Sequence, residues 1–354
     1  MTPSGTLAAD HIDPDAEMAA GRAAEQSGDL QTAVHHYTEA LRARPDDALE
    51  VRMVDLRHRA FKQVAHGGGL ESWPPVVPDL FEGCVEPPEI DASELTTEKL
   101  ASAVFHHGCL LVRGLLDEAQ VEQFKEVIDR SLEAFRARVE GTATDGSEVW
   151  CSFFEPSSDY GQYDVMGGRH FLVPQGSMYT GDSPRALKTL LDFFEGANLQ
   201  SVFTEYFGER PALSLKKGTL RHVPYTTGTG WHQDGAFMSR GIRSCNVWVT
   251  LTPCGGDSTA PGLEWIPRRF EELVETGSHG ALFDWAVGDG LADELSVDAG
   301  VIRPVFNAGD ALLFDDLLLH RTGISPGMDT NRYALEHWFF SPSHYPTEQL
   351  PILF

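Results

Sequence analysis

Apolar residues along this chain follow two rhythms. In the first, they recur every three or four positions. Behind Asp117, a residue type that caps helix starts, Val121, Phe124, Ile128, Leu132 and Phe135 fall on one helical face. A second helix is predicted from Ser183-Pro184, a cap followed by proline. It carries Leu187, Leu190, Leu191, Phe194 and Phe203, and Gly196 is placed to interrupt it. A short strand, CLLVRG, precedes the first of these helices at 109–114. From about residue 211 the rhythm changes to short β-like runs between glycine and proline turns: LSLKKGTLRHVPY, SCNVWVTLTPC, GLEWIP, VIRPVF, DALLFDD and RYALEHWFF. Such runs predict an antiparallel sandwich or barrel. A polar, partly helical insert over roughly 268–298 interrupts them, with Arg268-Arg269 as a solvated helix start. Between the two long helices lies an aromatic stretch without a period, holding Trp150, Tyr160, Tyr163, Arg169, His170 and Tyr179. Irregular segments of that length serve as lids or binding loops.

The first 65 residues form a separate, helical segment. From Pro14 to Pro45 small residues mark a contact between two helices that meet at Gly28-Asp29, and a third helix is expected over roughly 49–64. Gly21, Gly28, Ala33, Tyr37, Ala40 and Pro45 sit where a single tetratricopeptide repeat has its small and aromatic positions, and the stretch resembles one. One repeat cannot bury its own apolar face. It must dock on the main domain, on a second copy of the chain as a homodimer arm, or on a peptide or protein partner. Residues 66–90, dense in glycine and proline, read as a linker, and 91–354 as the main domain.

Composition narrows the function classes. The net charge of −26 repels phosphate backbones and anionic membrane surfaces, so neither nucleic acid nor membrane is an expected partner. Five widely spaced cysteines without a CxxC fit a reducing, cytoplasmic setting, with Cys245 and Cys254 inert. The start, MTPSGTLAADHIDPDAE, has neither the basic cluster nor the apolar run of a signal peptide.

The candidate chemistry begins with GTGWHQDGAF at 228–237, where His232 and Asp234 stand two apart on an extended chain and so share a side. Among fourteen histidines about one HxD is expected by chance, and His11-Ile12-Asp13 is such a match. Support comes from NAGDALLFDDLLLHRTG at 307–323, an apolar strand with His320 at its far end. In a jelly roll His320 can approach His232 and Asp234; His222, His337 and His344 are rival third ligands. Two imidazoles and one carboxylate on one face of an ion suit non-haem Fe(II) and leave positions open. Arg332 follows at the start of RYALEHWFF. A cation inside a barrel calls for an anion, and a guanidinium suits a carboxylate best.

At this point the chain resembles the phytanoyl-CoA dioxygenase family of Fe(II)- and 2-oxoglutarate-dependent oxygenases. The resemblance covers about 101–342 and rests on CLLVRGLLDEAQVEQF, WHQDG, PGLEWIPRR, GDALLF, then His320, Thr322 and Arg332. It implies His232, Asp234 and His320 as iron ligands, and Arg332 with Thr322 as the clamp on the distal carboxylate of 2-oxoglutarate. The family's lysine-proline pair before the metal motif is replaced here by Arg221-His222-Val223-Pro224. Asn246 and Arg221 are the candidates for the other end of the keto acid. Asn246 and Trp248 alternate with Val247 and Val249 and so share one face, either the cavity or the core. The family consumes O2 and releases succinate and CO2. Related halogenases lack the carboxylate at the Asp234 position, so hydroxylation is expected over halogenation.

The expected fold is mainly β with flanking helices (α+β), a double-stranded β-helix or jelly roll behind the helical repeat. The expected function is oxygenation, chiefly hydroxylation, of a small molecule or a carrier- or peptide-linked intermediate, with desaturation and ring chemistry open. A non-redox, cupin-like metal enzyme and a catalytically silent partner-binding scaffold are the alternatives.

Overall fold

The structure, a computed structural model, describes residues 12–65, 68–156, 165–238, 240–281, 283–346 and 349–354. The N-terminal helices are α1 (Pro14–Ser27), α2 (Leu30–Ala43) and α3 (Asp47–Phe61). Then come β1 (Glu89–Asp91), α4 (Thr97–His107), β2 (Cys109–Arg113), α5 (Glu118–Val139), α6 (Val165–Leu172), β3 (Ser177–Tyr179), α7 (Pro184–Gly196) and α8 (Leu199–Phe207). The rest is β4 (Ala212–Val223), β5 (Ser244–Thr250), β6 (Gly262–Trp265), α9 (Asp289–Ser296), β7 (Ala311–Phe314), β8 (His320–Gly323), β9 (Arg332–Phe340) and β10 (Pro351–Leu353).

Helix boundaries follow local chemistry. Asp13, Asp29, Asp46 and Asp117 each accept backbone N–H bonds at a helix start, the bonds a first turn cannot make for itself. Gly28, at φ 83°, ends α1 in the left-handed conformation that glycine adopts without strain. Gly21 is required by close approach: a methyl there would lie 2.7 Å from the Tyr37 ring.

The N-terminal helices are covered by their own chain. Leu56 is buried in one core with Tyr37 and Leu353. Arg57 donates to the Leu353 carbonyl at 3.1 Å, and His58 Nδ1 meets the Pro351 carbonyl at 2.7 Å. Arg185 on α7 bonds Glu50 and Asp47 at 2.6 Å each. The glycine- and proline-rich stretch that follows is fastened as well, Trp73 packing edge-on against Phe105 and Tyr206.

The fold is mixed α and β around a large, mostly antiparallel sheet ordered β1-β2-β7-β5-β9-β4-β10, with β3 also on β4. Among the described residues its one parallel pair is β1 with β2. Strands β6 and β8 form a second antiparallel pair, prolonged by bridges at His232–His320 and Trp265–Ile302. Strand alternation gives the large sheet two different faces. Val247, Val249, Leu335 and Phe339 pack into a core with α4, α5, α7 and α8. Trp248, Phe314, Trp338 and Phe340 face the β6–β8 pair.

Three expectations are corrected and one helix is added. VIRPVF makes single bridges at Ile302 and Phe306 instead of a strand, since Pro304 has no N–H for a ladder. The apolar run of 307–323 is not one strand ending in histidine: β7 stops at Phe314 and His320 opens β8 in the other sheet. Arg269 starts no helix and is not solvated. It pairs at 2.5 Å with Asp315, whose buried carboxylate needs a cation. Helix α4 goes unpredicted, although Thr96 and Gly108 cap it conventionally. Among the described residues no helix is long and apolar enough to cross a membrane.

Candidate metal centre

The chain leaves β4, turns through glycine and threonine, and meets β8. There His232 and His320 bond each other's backbones, N to O at 3.0 Å in both directions. Directly opposed residues share a face, and the two imidazole centres lie 4.3 Å apart. Each ring is held by the same device. His232 Nδ1 lies 2.8 Å from the Gly230 carbonyl and His320 Nδ1 lies 2.9 Å from the Leu318 carbonyl. A carbonyl only accepts, so each Nδ1 carries the proton and each Nε2 keeps its lone pair for a ligand. Asp234 follows two residues after His232, where a 3-10 turn begins. Ligand atoms of His232, Asp234 and His320 all lie within 4.8 Å of one another, and all three residues are buried. Among the described residues this is the one such group of His, Cys, Asp and Glu.

The electrostatics suit a cation. Burial, reinforced by His320, pushes the His232 imidazolium down to about 3, so the ring is neutral at neutral pH. Burial alone would raise the Asp234 carboxyl. The Lys217 ammonium and the two imidazoles outweigh it and hold the group below the usual carboxylate range. Lys217 Nζ is 3.3 Å from Asp234 Oδ1.

The three side chains open onto a cavity of about 350 Å³ that Arg332, Asn246, Trp248 and Thr322 also line. Arg332 opens β9 and is 1% exposed. One Nη donates to the Pro261 carbonyl at 2.6 Å, while its Nε has no partner among the described residues. Among the described residues no carboxylate pairs with it. Burial pushes this guanidinium down to about 10, which leaves it charged at neutral pH. Asn246 Oδ1 is likewise buried without a partner. The shared face of Asn246 and Trp248 is therefore the cavity face. Arg221 also lines the cavity, but Glu336 takes it at 2.5 Å.

The rival histidines lie elsewhere. His222 stacks on Tyr333 at 3.8 Å and faces Asp129. His337 points to the helical side of β9, where its Nε2 meets Thr180 Oγ1 at 2.8 Å. His344 sits in a 3-10 turn outside the group. From the aromatic stretch, Phe171, Leu172 and Tyr179 line the cavity, whereas Arg169 is spent on a buried bidentate pair with Asp182 at 2.7 Å. Tyr160 and Tyr163 lie outside the described residues. Cys245 and Cys254 are fully buried, and burial pushes both thiols up, so neither is nucleophilic.

Sequence reasoning missed several wall residues, among them Lys217, Phe237 and Trp285. Lys217 stands beside Lys216 in the run LSLKKGTLRHVPY, where regular alternation would send only one of the two lysines inward. Trp285 carries no signal, because the insert that delivers it has no period.

No protein-family model matches the chain, and no curated protein does. Solved structures do. EctD from S. alaskensis with 2-oxoglutarate and 5-hydroxyectoine is 17% identical, covers 78% of this chain and 86% of its own, and has a TM-score of 0.46. EvdO2 from Micromonospora carbonacea var. aurantiaca complexed with 2-oxoglutarate is 18% identical over 66% and 86%, with a TM-score of 0.42. The epimerase SnoN in complex with Fe3+, alpha ketoglutarate and nogalamycin RO is 16% identical over 71% and 86%, with a TM-score of 0.44.

Proposed function

We propose that this chain is a non-haem Fe(II)- and 2-oxoglutarate-dependent oxygenase, built as a double-stranded β-helix behind a tetratricopeptide-like helical segment. It acts on a small or tethered organic molecule, chiefly by hydroxylation. One observation carries the reading: a buried His-Asp-His set lines the same cavity as a buried arginine that has no acid partner among the described residues. Two neutral imidazoles and a carboxylate satisfy half of an octahedral shell and leave the rest for other ligands. A ferrous ion held there would supply, with 2-oxoglutarate and O2, an oxidation that couples loss of CO2 from the keto acid to oxygenation of a C–H bond.

The residues divide the remaining work. Arg332 offers its unpaired Nε and a charge to the distal carboxylate of 2-oxoglutarate, and the Thr322 hydroxyl can add a bond. Asn246 lines the same cavity, and its amide N–H could donate to the nearer end. Phe237 and Trp285, with ring centres 5.2 Å apart, keep water off the centre from the insert side. A non-redox metal site would leave Arg332 buried without an anion, a cost that nothing else in the cavity offsets. The test is oxidative: with Fe(II) and 2-oxoglutarate in air, the protein should release succinate faster in the presence of its substrate, and Arg332→Ala should abolish that release.

A further inference from the structure

We propose that the substrate is a carboxylic acid with an aromatic or flat apolar body, its carboxylate held by Lys217. This deepens the oxygenase reading and rests on it. The first ground is a β-bulge. Opposite β9, β4 advances from Leu213 to Gly218 while β9 moves only from Phe339 to His337. Ahead of the bulge, Leu213 and Leu215 pack with the helices; after it, Leu220 does. The alternation changes phase between them. Lys216 and Lys217, neighbours that a regular strand would send to opposite faces, both line the cavity.

The second ground is charge. A divalent ion and dianionic 2-oxoglutarate cancel. In the net sum Asp234 offsets Arg332 without pairing with it, and Arg221 is matched by Glu336 at 2.5 Å. Lys217 remains beside the triad, close to the dication that takes its partner carboxylate, and Lys216 adds to the same wall. A half-buried cation in that position favours one further anion. The third ground is shape. Lys217 Nζ lies 4.2 Å from the centre of the Phe237 ring, and Trp285 stands edge-on to that ring at 5.2 Å. A carboxylate on the ammonium places its attached body along these rings, beside the metal triad.

The test uses full-length protein loaded anaerobically with Mn(II) and 2-oxoglutarate, with binding of each measured first by calorimetry. Phenylacetate, 3-phenylpropanoate and 4-phenylbutanoate are then titrated, each beside its primary amide and its amine analogue. The inference expects at least one acid to bind at least tenfold more tightly than its amide. Lys217→Arg should keep that preference and Lys217→Met should erase it while Mn(II) still binds. Equal affinities for acids and amides in the loaded wild type would overturn it, as would a preference that survives in Lys217→Met. So would a Lys217→Met protein that loses 2-oxoglutarate affinity and leaves probe affinities unchanged, since the lysine would then serve the cosubstrate. If wild type binds no Mn(II), the oxygenase reading itself fails, which the first titration reports separately.

Discussion

His232 and His320 exchange both of their backbone hydrogen bonds, although the insert and β7 separate them in sequence. These two candidate metal ligands are thus fixed by sheet pairing as well as by side-chain packing. Removing one ring should leave the fold intact and the site empty. Groups that hydrogen-bond to metal ligands are worth roughly 10–100-fold in affinity, so a ligand itself should be worth more than about a hundredfold. His320→Ala should show that loss of Mn(II) affinity by calorimetry, with an unchanged circular dichroism spectrum.

Arg332 separates binding from stability. Charge-assisted hydrogen bonds contribute about 1.5–3 kcal/mol each, so Arg332→Met should weaken 2-oxoglutarate roughly 10- to 100-fold in the metal-loaded protein. The same change removes a buried guanidinium that has no acid partner among the described residues. The melting temperature without ligand should therefore hold or rise, where loss of a paired arginine would lower it.

His337 gives the fold an acid limit. Burial pushes its imidazolium down to about 3 from an unfolded value of 6.5. Thr180 is the polar group that meets it, and Phe194 covers its other side. A lowered folded value means that the neutral ring stabilises the protein above pH 6.5, and that this stability drains away as the pH falls toward 3. The loss is roughly 4 kcal/mol over that window. Denaturant titrations at pH 7 and pH 4 should show it, and His337→Gln should flatten the pH dependence.

Leu56 tests how the N-terminal helices are held. It is fully buried in the core that α2 and α3 share with Leu353 of β10. Truncation of a buried leucine costs about 2–5 kcal/mol. Leu56→Ala should lower the melting temperature of the whole protein and leave Mn(II) affinity unchanged. A melting curve that splits in two, its upper transition at the wild-type temperature, would mean that the helices unfold independently of the sheet.

Much of this architecture was legible in the chain. Asp117, Ser183 and Gly28 announce helix ends because capping is a local affair of one side chain and one turn. The alternation of Asn246 with Val247 exposes a two-faced strand. The pairing of Arg269 with Asp315 was not legible, since nothing near either residue in sequence records the other. The strand β8, only four residues long, has no period to read, so His320 looked like the end of β7. Lys217 was hidden by the bulge: its inward direction follows from a phase change that only strand pairing reveals.

The most direct measurement is a paired calorimetric titration of the metal-free protein, first with Mn(II) and then with 2-oxoglutarate. The account predicts one Mn(II) per chain, 2-oxoglutarate binding that requires the metal, and loss of both in His320→Ala. Wild-type protein that takes up no Mn(II), or a His320→Ala variant that binds it as tightly as wild type, would contradict it.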